Sequence, residues 1–135
     1  LEIQQNSDTT YRVYDWGRVG LDGKPRAMHV EQSMASLTAN TAGSPVLVRS
    51  GEKTSVLAEC REFRITRHRM AGGEDIAFGA GEQARIVSVV SGSLAVDGTS
   101  LGAGDNALLP YGGAFALAAG QEAVVLVTDN FSSLD

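Results

Sequence analysis

Residues 2–12 bring Glu2, two glutamines, Asp8 and Arg12 into eleven positions, beside Tyr11 and Tyr14. A carboxylate and a guanidinium on one extended segment can face a cavity together, the acid moving protons and the arginine holding an oxyanion or a phosphate. The same residue types also suit a polar strand edge closed by a cross-strand ion pair. Further along, His68 and Glu74 flank Gly72-Gly73 and could supply two metal ligands, yet no paired histidine stands beside them, so His68 reads as solvated on a strand face. Arg61, Arg64, Arg67 and Arg69 gather four of the eleven basic residues, with Arg67 and Arg69 on one strand face and Arg64 on the other. They read either as an anionic-ligand patch or as charges guarding a strand edge against aggregation. His29 precedes a short helix and reads as packed or solvated, and Cys60, without catalytic context, as a small buried core residue.

Bulk properties narrow what these groups can serve. The chain has 135 residues and a net charge of −5, from eleven Lys and Arg against sixteen Asp and Glu. That balance gives no net drive to bind nucleic acid by counterion release. No apolar run approaches the ~20 residues a membrane-spanning helix needs. A single cysteine excludes an internal disulfide framework and fits a reducing cytoplasm. The chain opens on Leu1 inside what reads as a strand, so it is expected to be a portion of a longer protein.

The elements that must position these groups divide by texture. Residues 1–16 carry β-formers around a polar Asn-Ser-Asp turn and read as two extended segments. Residues 17–26 form a loop punctuated by Gly20, Asp22-Gly23 and Pro25. Val30, Met34 and Leu37 recur at i, i+4 and i+7, which predicts a helix over residues 30–37. A polar linker at 38–44 marks the expected boundary between a first unit at 1–40 and a second at 41–135. From residue 46 onward short strands alternate with glycine turns, among them 62–70, 84–90, 93–96, 107–109, 114–117 and 123–128. That rhythm produces a sandwich, jelly roll or small barrel, and no helix fits between the strands to build a parallel sheet. Two Gly-Ala-Gly-acid turns, at 79–82 and 102–105, read as hairpin corners needing positive φ. Leu94, Val96, Leu108, Leu109, Leu117, Val125 and Val127 are the expected apolar filling.

The stretch EIQQNSDTTYRVYDWGR, followed by GKPR and then HVEQSMASL, resembles the class I mannose-6-phosphate isomerases. The resemblance is specific over residues 1–37 and looser over the remainder, which resembles the C-terminal cupin barrel of that family. It implies an all-β fold: a cupin-type jelly-roll barrel over 41–135, preceded by strands and a short helix from the end of a catalytic cupin over 1–40. It implies an aldose–ketose isomerisation of mannose 6-phosphate to fructose 6-phosphate through an enediol. That chemistry needs a base and a cationic group at the developing oxyanion. Arg12 matches the family's active-site arginine, Glu2 its acidic residue ten positions earlier, and Arg18 falls where related enzymes place a basic residue lining the pocket. The implied cofactor is one zinc ion in the intact enzyme, its two histidines and glutamate all upstream of Leu1, with none expected in this chain alone.

The second unit departs from its relatives' pattern. Residues 104–115 keep the spacing G-x5-P-x-G-x2-H of the second cupin motif, but Phe115 stands where the histidine belongs. A phenyl ring cannot coordinate a metal. With only two histidines, His29 and His68, far apart in sequence, and one cysteine, the chain alone holds no zinc cluster and is expected to be inactive, the whole protein acting on a small sugar phosphate in the cytoplasm. The competing reading is a non-catalytic cupin module for sugar-phosphate binding or assembly. Exposed strand edges in residues 1–16 would favour a homodimer.

Overall fold

A computed structural model of the chain describes residues 3, 9–39 and 49–131. Among them one helix and nine strands alternate with turns, and the chain divides into two units, Leu1–Val46 and Leu47–Asp135.

In the first unit the helix α1 spans Val30–Ala39, close to the segment expected from its periodicity. His29 occupies its N-cap position, its carbonyl accepting from the Ser33 backbone N–H at 2.8 Å and from the Ser33 hydroxyl at 2.8 Å. Glu31 in the first turn complements the positive end of the helix. The stripe that revealed the helix is not buried: Val30, Met34 and Leu37 are 49%, 55% and 63% exposed. Residues 9–16 form no paired strand. The backbone turns at Trp16-Gly17, both at positive φ, with the Arg18 N–H donating to the Asp15 carbonyl at 3.0 Å. An isolated bridge joins Val19 to Pro25.

The described residues of the second unit form strands, turns and loops. β1 (Thr54–Glu59), β2 (Arg64–Met70), β9 (Ala123–Asp129), β4 (Arg85–Ser91) and β7 (Asn106–Leu109) form one antiparallel sheet in that order. β3 (Asp75–Phe78), β8 (Phe115–Ala119), β5 (Ser93–Val96) and β6 (Thr99–Gly102) form the other. Both sheets contribute to one core: Met70, Val87, Val89, Val125 and Val127 from the first meet Leu94, Leu101 and Leu117 from the second. Burial of side chains this size contributes about 1.5–3 kcal/mol each. Leu108 is 68% exposed, because period-2 alternation in β7 turns Ala107 and Leu109 inward and cannot do the same for the residue between them. Cys60 is also exposed, lying in the turn between β1 and β2 where its backbone N–H donates to the Phe63 carbonyl.

The turns follow the sequence with one change of role. Asp97 and Gly98 both take positive φ between paired β5 and β6, as a two-residue hairpin requires. Gly81 and Gly104 also take positive φ, but the Gly-Ala-Gly-acid turns are not hairpins. Each carries the chain from one sheet to the other, β3 to β4 and β6 to β7. In both, the acid folds back to accept from the first glycine's N–H: Glu82 from Gly79, and Asp105 from Gly102 at 2.8 Å. β2 lies between β1 and β9, so its arginines do not guard an edge.

Candidate functional site

Arg12 is half-buried in the first unit and is held from both sides of its backbone by His29. The Arg12 N–H donates to His29 Nδ1 at 3.3 Å, and the His29 N–H donates to the Arg12 carbonyl at 2.7 Å. An acceptor Nδ1 places the proton of a neutral imidazole on Nε2. Tyr11 packs edge-on to the same ring at 6.1 Å. His29 is therefore half-buried and engaged rather than solvated.

Asp15 and Arg26 complete the setting. The Arg26 guanidinium forks onto the Asp15 carboxylate, Nε donating to Oδ2 at 2.7 Å and Nη2 to Oδ1. The Arg26 hydrogen bonds hold the Asp15 carboxyl below its ordinary value, opposed by burial and helped by the charges of Arg26, Arg12 and Arg18. The same pairing raises Arg26. Arg26 alone pairs with Asp15 within salt-bridge distance among the described residues. Arg12 is half-buried and Arg18 exposed. Glu2, assigned beside Arg12 by resemblance, lies outside the described residues. Asp15 and Arg26 were not singled out from sequence; the signal available was the Gly- and Pro-punctuated loop between them, which folds the chain back on itself.

In the second unit the expected ligand positions are occupied by other chemistry. Phe115 is half-buried against the core and pairs in register with Phe78 on β3. The Arg85 guanidinium lies over the Phe78 ring at 4.1 Å. His68 is half-buried, with Nδ1 3.3 Å from the Thr54 hydroxyl. Burial holds it below its ordinary value, partly offset by the Asp129 charge. Glu74 is committed elsewhere, to Lys53 at 2.5 Å and to the Ala71 N–H at 2.9 Å. Among the described residues no three His, Cys, Asp or Glu side chains converge, so these residues do not fit a zinc ion. No helix among them is long and apolar enough to cross a membrane.

Solved structures show that the chain contains a cupin-type fold. It resembles a cupin superfamily protein from Desulfitobacterium hafniense (TM-score 0.53, 16% identity, covering 69% of this chain and 94% of that one). An RmlC-like cupin from Desulfovibrio desulfuricans gives the same TM-score at 17% identity, covering 65% and 95%. No protein-family model matches the chain. Along most of its length the chain is a relative of the mannose-6-phosphate isomerases. It is 34% identical to the mannose-6-phosphate isomerase of Streptococcus mutans over 82% of its own length. To the Bacillus subtilis mannose-6-phosphate isomerase ManA it is 31% identical over 93%. The second figure leaves under a tenth of the chain outside, so the similarity runs through both units. The chain spans 36% and 42% of the length of these two relatives.

Proposed function

We propose that this chain is the C-terminal part of a zinc-dependent mannose-6-phosphate isomerase, residues 1–40 ending its catalytic cupin and 41–135 forming a second barrel without metal ligands. The observation that carries the reading is the similarity to named isomerases through both units, including the unit that bears Arg12. In this proposal Arg12 holds the oxygens of the enediolate or the phosphate. Its planar fork binds two oxygens at once. Glu2 moves the proton between C1 and C2 or holds a hydroxyl. Arg18 adds substrate attraction at the rim. The zinc ion is held by residues upstream of this chain, and no described residue is assigned to it.

Replacement of Arg12 by Lys in the full-length protein tests this. Charge survives, so KM moves modestly, while loss of the directed pair of hydrogen bonds lowers kcat about a hundred- to a thousand-fold. The isolated 135-residue chain is expected to give no useful turnover in a coupled assay. A variant that melts early yet keeps parental kcat makes Arg12 structural. Turnover by the isolated chain would place the whole catalytic apparatus within it and overturn the division proposed.

A further inference from the structure

The polar end of the second barrel is built where β2 begins, β9 ends and β4 begins. Arg64 pairs in register with Asp129, and Arg85 lies on the strand that flanks Asp129 from the other side. Together with Thr66, His68, Gln83 and Phe78 they line a cleft of ≈ 410 Å³. That volume falls within the ~300–1,000 Å³ of small-molecule sites.

The hydrogen-bonding inventory of this cleft is lopsided. Asp129 has already accepted from Arg64 Nε at 3.0 Å and Nη2 at 3.2 Å, and from Gln83 Nε2 at 3.4 Å. Its acceptor capacity is largely spent. Arg85 is more than nine-tenths buried; its Nη2 donates to Glu82 at 2.7 Å and its Nη1 to the Gln83 carbonyl at 3.4 Å. Its Nε has no hydrogen-bond partner among the described residues, Asp129 Oδ2 standing 4.0 Å away. A buried N–H without an acceptor is costly and rarely left so. The lining holds two guanidiniums against one carboxylate, with Glu82 outside on the half-exposed rim. Donors are in surplus, and what fits is a group that brings acceptors.

We infer that this cleft binds a small molecule through a phosphate or carboxylate group, received by Arg85 and Arg64. The oxyanion accepts from the Arg64 and Arg85 guanidiniums, the second held by the Phe78 ring beneath it and by Glu82. Thr66 and Gln83 are within the same wall for the ligand's remaining polar atoms. The site lies wholly in the second unit and does not depend on the isomerase reading.

Isothermal titration of the full chain with inorganic phosphate, fructose 6-phosphate, gluconate and uncharged mannose tests the inference. Saturable binding of a charged probe is expected, with mannose at least ten-fold weaker; preference between fructose 6-phosphate and gluconate identifies phosphate or carboxylate as the natural group. Arg85→Met, which keeps apolar contact with Phe78, should weaken binding at least ten-fold with a cooperative melting curve. Should that variant fail to fold, Arg64→Gln should give the same loss. A parental affinity in a folded variant, equal affinity for mannose, or no saturable binding of any charged probe overturns the assignment.

Discussion

His29 grips Arg12 by its backbone and leaves the guanidinium to act elsewhere. One ring nitrogen accepts from the Arg12 N–H while the Arg12 carbonyl accepts from the His29 N–H. The same His29 carbonyl opens helix α1. The arginine is thereby tied to the start of the one helix among the described residues. A positioning group of this kind matters because a displacement near 1 Å at a reacting centre can cost on the order of a hundred-fold in rate.

Replacing His29 by Ala in the full-length protein removes the Nδ1 acceptor. The expected result is a kcat lowered about ten-fold with KM little changed, and a small loss of stability consistent with one neutral hydrogen bond. His29→Asn, whose side-chain oxygen can accept from the Arg12 N–H, should recover most of the rate. Equal kcat for parent, Ala and Asn variants would show that the His29 contact does not position Arg12.

His68 gives the second unit a pH dependence whose sign is fixed by burial. Its folded pKa is lowered by burial, despite the opposing Asp129 charge. Between the ordinary histidine value near 6.5 and the lower folded value, the unfolded chain binds more protons than the folded one. Stability is therefore fully present above the unfolded value and is lost as pH falls through the folded value. Thermal midpoints measured from pH 7.5 to pH 5 should fall, and His68→Gln should flatten that fall by no more than one proton's contribution. A parallel fall in parent and variant would assign the dependence to other groups.

The sequence carried the local features of the barrel and missed the non-local ones. Asp97-Gly98 identified its hairpin because a two-residue turn has few chemical solutions. Alternation located β4, β5 and β9 nearly to the residue. It did not resolve Leu108 from Leu109, because two adjacent leucines look equally apolar until a register chooses between them. The glycine turns at 79–82 and 102–105 showed where the chain bends, yet which strand it joins next is decided by pairing across the sheet. For the candidate site the same division holds. Arg12 stood out by type and by motif, whereas the Asp15–Arg26 fork depends on a loop closing across eleven positions. The Arg85–Phe78–Asp129 cluster joins three strands, and no local pattern announces it.

Gly92, between β4 and β5, should tolerate no side chain. Its φ is +78°, and a Cβ there would stand 2.1 Å from the Glu122 carbonyl oxygen and 2.8 Å from the Ala123 Cα. The left-handed conformation alone costs a non-glycine residue about 1–2 kcal/mol. The contacts are with backbone, so a strand end must also move. Gly92→Ala should therefore lower stability by more than that figure in denaturant titration, with Gly98→Ala, which meets nothing within 4 Å, as a control showing the conformational cost alone. Equal losses for the two would mean that the backbone near Glu122 yields freely.

Phe115 holds the position where the motif spacing calls for histidine, and Phe78 faces it in register. A guanidinium lies over Phe78, and its fixed positive charge opposes any cation placed nearby. His68 is the one histidine of this unit, and Glu74, six residues on, is taken by Lys53 and the Ala71 N–H. A single imidazole does not make a zinc site, which requires three or four converging ligands. Purified chain dialysed against zinc, manganese or nickel should therefore retain less than stoichiometric metal, and its thermal midpoint should not rise. Restoring the motif with Phe115→His should not change this, because the partner ligands and the charge remain wrong. Replacing Arg85 by Glu in that background removes the cation and adds a carboxylate. If Phe115→His alone binds metal stoichiometrically, the Arg85 charge does not control the site; if the parent does, with loss on His68→Gln, the barrel has a metal centre that its donor set argues against.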